Sequence, residues 1–206
     1  VLQQLRPHIA SDALLSDVGS VKAPLLRTMR DFPELTPRFV GGHPIAGSEQ
    51  FGPSSARTHL FDGKRLILTP DEHTPPETTR RLRALWERIG SEVCEMSATQ
   101  HDQIFAAVSH LPHLIAYASI EAIVGSDAAE VLQYSGAGLK DFSRIASSSP
   151  EMWTDILLDN REPLLERMQH LQQVLARIEQ LLRQENRAEL QALLHEAKVA
   201  RDQWIG

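Results

Sequence analysis

The sequence predicts an α/β domain followed by an all-α domain, and three observations carry that expectation. Up to about Met96, short apolar segments alternate with turns rich in Gly, Pro and Asp, the pattern of strands and helices in an alternating sheet. One segment among them, Pro75 to Ile89, has helical spacing and sits between two strand-like runs. After Ser97 the strand-like runs stop, and long apolar stripes of helical period continue to the C-terminus. The expected domains are residues 1–97 and 98–206.

Four segments read as strands: Ala13 to Asp17, Arg38 to Gly41, Arg65 to Thr69 and Glu92 to Met96. In the helix Pro75 to Ile89, two prolines open the first turn, Leu82, Leu85, Trp86 and Ile89 form the apolar face, and Gly90 is the stop. Thr99 to Val124 reads as one long helix kinked at Pro112, whose ring and missing N–H disturb the backbone ladder. From Pro163 to Gln184 the set Leu164, Leu165, Met168, Leu171, Val174, Leu175, Ile178, Leu181 and Leu182 follows the i, i+3, i+4, i+7 rule, and Arg187 to Asp202 repeats it. Little chain remains to cover these stripes, so a homodimer built through this half is expected. Val1 to Arg6 reads as the middle of a helix without a cap, so further chain is expected upstream.

Composition excludes several classes. With 21 Lys and Arg against 27 Asp and Glu, the formal charge is -6, and no basic field exists to draw nucleic acid or an anionic membrane. An anionic substrate must therefore be held by local charges. The single cysteine, Cys94, cannot form an internal disulfide, which fits a reducing, cytoplasmic setting. No apolar run approaches the roughly 20 residues of a membrane helix.

Four constellations can carry chemistry. In Asp17-Val18-Gly19-Ser20-Val21-Lys22 a strand runs into a turn at its carboxyl edge, where ligands gather in α/β sheets; Ser20 reads first as a helix N-cap and second as a ligand-reaching hydroxyl. In Gly41-Gly42-His43-Pro44 two glycines permit close backbone approach and His43 can trade a proton near neutral pH, as alcohol oxidation requires; an incidental surface histidine fits equally well. Ser109-His110-Leu111-Pro112-His113, preceded by His101-Asp102, lacks further ligands at zinc spacing, so no metal is expected and a buried, hydrogen-bonded histidine is the stronger reading. Gly136-Ala137-Gly138 ahead of Arg144 is a glycine-rich bend that lets a guanidinium fork meet a carboxylate, or else an ordinary helix connection. Neither a Gly-x-Gly-x-x-Gly turn at a strand end nor a Gly-x-Ser-x-Gly elbow occurs in these residues.

Taken in order, Asp17-Val18-Gly19-Ser20-Val21-Lys22, Gly42-His43-Pro44-Ile45-Ala46-Gly47-Ser48-Glu49, His101-Asp102, Ser109-His110-Leu111-Pro112-His113 and Asp141-Phe142-Ser143-Arg144-Ile145-Ala146 with Pro150 and Met152-Trp153 resemble the prephenate and arogenate dehydrogenase family. The resemblance implies part of a Rossmann-like nucleotide-binding domain followed by a helical dimerisation domain, with NAD or NADP as cofactor. It implies oxidative decarboxylation of prephenate to 4-hydroxyphenylpyruvate in tyrosine biosynthesis, with arogenate as the alternative substrate and tyrosine as a possible feedback ligand. By the same resemblance, His43 takes the ring-hydroxyl proton, Ser20 orients that histidine or the hydroxyl, and Arg144 binds a substrate carboxylate. Glu49 and Asp102 are expected in an ionic network with Arg144, and His113, Trp153 and Gly138 near the substrate side chain. Asp17, Ser20 and Pro44 are expected at the cofactor. His113 and the Met152-Trp153 pair look more like prephenate-using members.

The family begins with a strand and a Gly-x-Gly-x-x-Gly turn that hold the cofactor pyrophosphate, and this sequence starts after that point. Weak NAD binding by these residues alone is therefore expected. The alternative from another class is a catalytically silent dimerisation and ligand-binding fragment.

Overall fold

A computed structural model describes residues 2–47, 52–124 and 131–205. Their packing groups the chain into two compact units, residues 1–164 and residues 165–206.

In the first unit, four strands lie side by side in chain order: β1 (Leu15–Ser16), β2 (Phe39–Pro44), β3 (Arg65–Thr69) and β4 (Glu92–Glu95). β1 and β2 are parallel, β2 and β3 antiparallel, β3 and β4 parallel. β1 is shorter than expected because the Asp17 carboxylate folds back to accept Gly19 N–H at 2.8 Å, closing a turn directly after Ser16. β2 is longer than expected. Gly42, His43 and Pro44 do not follow the strand but form its second half, with His43 opposite Ile67, because β3 offers them an antiparallel partner.

Helix α1 (Leu2–Leu5) and α2 (Ala23–Met29) contribute to one core, in which Met29, Phe32, Leu35 and Phe39 are buried with Leu2, Ile9, Leu15, Leu25 and Leu26 against them. Helix α3 (Pro76–Arg88) serves a second core of Val40, Leu66, Leu68, Leu82 and Trp86. Only part of the expected α3 face is inward: Leu85 and Ile89 are exposed, and Thr78 and Thr79 complete the buried side one turn before Leu82. Gly90 ends the helix as expected. Its φ of 91° is left-handed, and Gly90 N–H and Ser91 N–H close back onto Glu87 and Trp86 carbonyls at 3.0 and 3.1 Å.

The long helix α4 (Ala98–Val124) begins at a Ser97 cap, whose Oγ accepts Gln100 N–H at 3.1 Å. Its irregularity lies one turn earlier than Pro112: residues Ala106–His110 form a π turn, and Leu111 N–H reaches back to Ala106 O. A wider turn ahead of Pro112 accommodates the absent N–H without breaking the helix. By length and mean hydropathy of 1.2, α4 does reach the range of a membrane span, unlike the shorter apolar runs expected. It nevertheless buries His101, Asp102 and His110 in hydrogen bonds to other parts of the fold.

Helix α5 (Ala137–Ser143) includes Gly138, so the expected glycine-rich bend is helical. Helix α6 (Pro150–Asp159) is capped by Ser149, whose Oγ accepts Met152 N–H at 3.4 Å. Helices α7 (Arg161–Arg183) and α8 (Arg187–Ile205) carry the predicted stripes. In the second unit they are joined through Glu185, at a left-handed φ of 51°, and Asn186, whose Oδ1 accepts Glu189 N–H at 3.3 Å. Leu165, Leu175, Leu182, Leu194, Trp204 and Ile205 remain exposed.

Candidate active site

The site assembles where β1, β2 and α4 meet. Asp17, at the end of β1, has both carboxylate oxygens occupied: Oδ1 accepts Gly42 N–H at 3.0 Å, and Oδ2 accepts Gly19 N–H and the Lys22 ammonium. The fully buried Lys22 also donates to Gly42 O at 2.7 Å, so one lysine ties the β1 turn to the strand that carries His43. Burial pushes the Lys22 amine below its ordinary value, although Asp17 and Asp102 pull it up.

The glycines ahead of His43 are required by this internal packing. A Cβ on Gly41 would stand 2.4 Å from Thr69 Oγ1, and one on Gly42 would stand 2.7 Å from Asp17 O. Both distances are below any real carbon contact, so a side chain at either position must displace its neighbours.

His43 is half-buried, and Phe105 lies against it at 4.7 Å between ring centroids. Its Nδ1 is 2.8 Å from His101 Nε2. On the far side, His101 Nδ1 is 2.8 Å from Asp102 Oδ1, and Phe105 stacks on the His101 ring at 4.5 Å. Burial pushes His43 down to about 3, with His101, Lys22 and His110 adding to the effect and Asp102 opposing it. At neutral pH His43 is an uncharged imidazole.

Asp102 is the hub. Its Oδ1 accepts Lys22 N–H at 2.9 Å and its Oδ2 accepts Ala23 N–H at 2.8 Å, capping α2 from a residue far along the chain. Ser20 does not cap that helix, which has no side-chain cap of its own; it sits half-buried in the bend before α2. Burial alone would raise the Asp102 carboxyl, but hydrogen bonds from His101, Ala23 and Lys22 outweigh it and hold the group below its ordinary value.

Among the described residues, Asp102 spends its carboxylate on these amides and on His101. The partner of His43 Nδ1 is His101. Glu49, the other acidic residue of the expected ionic network, lies outside the described residues.

A second group follows along α4. His110, fully buried, has Nδ1 2.9 Å from Asn160 Nδ2, which also donates to Asp102 O at 2.8 Å. Burial pushes His110 down to about 4. His113 stacks on Trp153 at 3.7 Å, and its Nδ1 lies 2.9 Å from Ser109 O. Burial lowers the His113 imidazole, and Arg144 contributes in the same direction, so Arg144 lies within electrostatic reach of this pair. His110 Nε2 and Trp153 Nε1 are buried without a partner among the described residues. Gly138 has open space around it, with no atom within 4 Å of an added Cβ. Pro44 closes β2 directly after His43.

The buried, hydrogen-bonded reading holds for His101 and His110, whereas Lys22 and Asn160 escaped the sequence reading as site-forming residues. Lys22 lies inside the motif that holds Asp17 and Asn160 inside none of the family motifs, and their contacts with Asp102 span 80 and 58 residues.

A mixed sheet that carries an uncharged histidine near the end of one strand, followed by a helical half, makes an α/β domain joined to an all-α one. Comparison with known proteins makes this specific. The family profile "Prephenate dehydrogenase, nucleotide-binding domain" matches residues 1–95, and "Prephenate dehydrogenase, dimerization domain" matches residues 97–196. Cyclohexadienyl dehydrogenase of Zymomonas mobilis is 37% identical over 174 residues, 82% of this chain and 59% of the relative. The crystal structure of prephenate dehydrogenase from Aquifex aeolicus in complex with hydroxyphenyl propionate and NAD+ superposes with a TM-score of 0.89 at 38% identity, covering 97% of this chain and 70% of that one. Synechocystis arogenate dehydrogenase superposes with a TM-score of 0.83 at 32% identity, covering 98% and 73%. The chain belongs to the prephenate dehydrogenase family. It spans 59% of the length of the Zymomonas relative.

Proposed function

We infer that the protein takes part in the NAD(P)-dependent oxidative decarboxylation of prephenate to 4-hydroxyphenylpyruvate. The observation that carries this reading is His43: an uncharged imidazole, half-buried under Phe105, with Nδ1 engaged by His101. The Aquifex structure, solved with hydroxyphenyl propionate and NAD+, supports the same class of ligand here.

In this reading, bound NAD(P) supplies the hydride acceptor. His43 takes the ring-hydroxyl proton on Nε2, and loss of carbon dioxide follows because it aromatises the ring. Arg144, at the start of the turn Arg144–Ser147, holds a carboxylate as a fixed cation on an acidic protein. The His113–Trp153 stack forms a flat wall for the substrate side chain. Among the residues expected at the cofactor, the fit is uneven. Asp17 is consumed by Gly19, Gly42 and Lys22 and acts as framework, whereas Ser20 and Pro44 border the turn and the strand that present His43.

Homodimerisation through the leucine stripes of α7 and α8 belongs to the same reading, supported by the dimerisation profile over residues 97–196 and by the exposed leucines. So do a domain boundary near residue 97, a reducing cytoplasmic setting consistent with the free Cys94, and tyrosine as a feedback ligand.

Steady-state assays of the full-length protein with prephenate or arogenate, each with NAD or NADP, test the activity. Turnover of prephenate is expected; a clear preference for arogenate overturns the substrate assignment, and turnover of neither overturns the activity. Calorimetry of residues 1–206 with NAD and with tyrosine separates a silent fragment, which binds no NAD, from a cofactor-binding chain.

A further inference from the structure

We propose that His101 and Asp102 stand behind His43 as a proton relay: they fix a hydrogen on His43 Nδ1 and draw it off as Nε2 receives one from the substrate hydroxyl. The proposal rests on the reading of His43 as the base. His101 and Asp102 touch no substrate in it; they are positioning residues that act through His43.

The direction of the relay is forced by its far end. Asp102 accepts N–H groups from Lys22 and Ala23 on its two oxygens, at 2.9 and 2.8 Å, so it is an acceptor toward His101 as well. His101 Nδ1, 2.8 Å away, must therefore donate. In an uncharged His101 the other nitrogen, Nε2, then holds the lone pair. His43 Nδ1, 2.8 Å from that lone pair, must be the N–H, and its own lone pair is left on Nε2. One buried carboxylate thus sets the tautomers of two rings. The carboxylate is itself fixed, because it caps α2 and its residue's carbonyl accepts Asn160 Nδ2 at 2.8 Å.

The relay also answers a difficulty with His43 acting alone. The groups facing it are His101, Asp102 and His110 from α4 and Lys22 from the start of α2, with Asp17 behind the lysine and Phe105 over both rings. Burial, the two histidines and the lysine all disfavour a charge on His43, and its pKa falls to about 3. A proton left there is poorly held. In the relay, the substrate O–H breaks as the His43 Nε2–H bond forms, and the His43 Nδ1–H breaks as a His101 Nε2–H bond forms. His43 ends uncharged, and the positive charge rests on His101, whose Nδ1–H points at the Asp102 carboxylate. The hydride leaves the ring carbon for NAD(P), so protons and electrons balance.

Replacing Asp102 would also remove the α2 cap, so the test is made at His101 in the full-length protein. His101→Gln retains an amide oxygen that can accept from His43 Nδ1 but cannot take up a proton; His101→Phe removes both functions. Prephenate turnover by the unaltered protein is measured first, and its absence would count against the assigned reaction. Nitrogen-15 NMR of the histidine rings then reads the relay without turnover: His43 is expected as the Nδ1–H tautomer, and a predominant Nε2–H tautomer overturns the proposal. In His101→Gln the expected result is kcat lowered about 100-fold with KM changed by less than about threefold, and the acid limb of the kcat/KM profile displaced to lower pH. Wild-type kcat, or an unmoved acid limb, in a folded His101→Gln protein overturns it.

Discussion

Replacing Gly42 by alanine separates two reasons for a glycine beside His43, the proposed base. The added Cβ would lie 2.7 Å from Asp17 O and 3.1 Å from Ser16 Oγ, and backbone carbonyl cannot swing aside as a flexible side chain can. β1 must move away from β2, which stretches the 3.0 Å bond from Gly42 N–H to Asp17 Oδ1 and the 2.7 Å bond from Lys22 to Gly42 O. Overpacking of this kind costs about 1–3 kcal/mol, and weakening a hydrogen bond to a charged partner adds to it, so a loss of about 2–4 kcal/mol is expected. Urea unfolding followed by circular dichroism measures it as a lower midpoint at unchanged slope. Gly138→Ala is the comparison. Its Cβ meets nothing within 4 Å in α5, and a gain of about 0.5–1 kcal/mol is expected from helix propensity. Should Gly42→Ala keep full stability and lose only ligand binding, the argument for internal packing is wrong.

Other outcomes follow from the same geometry. His43→Asn should remove most turnover and little substrate binding, whereas Arg144→Ala should mainly raise KM; equal loss of binding in both would contradict the assigned roles. Stability should fall in mild acid. His43 and His110 have folded values of about 3 and about 4 against an ordinary 6.5, so their contribution is complete above about pH 6.5 and is lost as pH falls toward 4 and 3. Urea titrations across this range should show a shallower decline in His110→Gln, and an unchanged decline would refute it. Leu182→Glu, on an exposed stripe of α7, should shift light-scattering mass toward the monomer without changing the helical signal.

The strands were legible because each is a short apolar run bounded by turn residues, and α3 because its prolines, apolar spacing and Gly90 agree. What local pattern could not show was pairing. The second half of β2 exists because β3 is there to bond it, and no property of Gly-Gly-His-Pro alone distinguishes a strand from a turn. The same limit hid the relay. His43 and His101 are 58 positions apart, and Asp102 reaches Lys22 across 80. Likewise Ser20 has the chemistry of a helix cap, and the helix took its cap from a distant carboxylate instead. The α3 face was misjudged where Thr78 and Thr79 take the buried side and Leu85 and Ile89 stay exposed, a choice that apolar counting does not register.

The π turn Ala106–His110 sets the phase of the helix that serves both ends of the site. His101 and His110 are both fully buried, yet along an uninterrupted α-helix their separation would turn them about 180° apart, one facing inward and one outward. The π turn absorbs a residue and cuts that angle to about 80°. The helix therefore behaves like a keyed shaft with a single tooth of offset. Deleting one residue within the turn would convert it to regular α-helix and keep His110 and His113 in the same phase relative to His101 and Asp102, whereas deleting one from the regular helix between His101 and the turn would rotate them by about 100°.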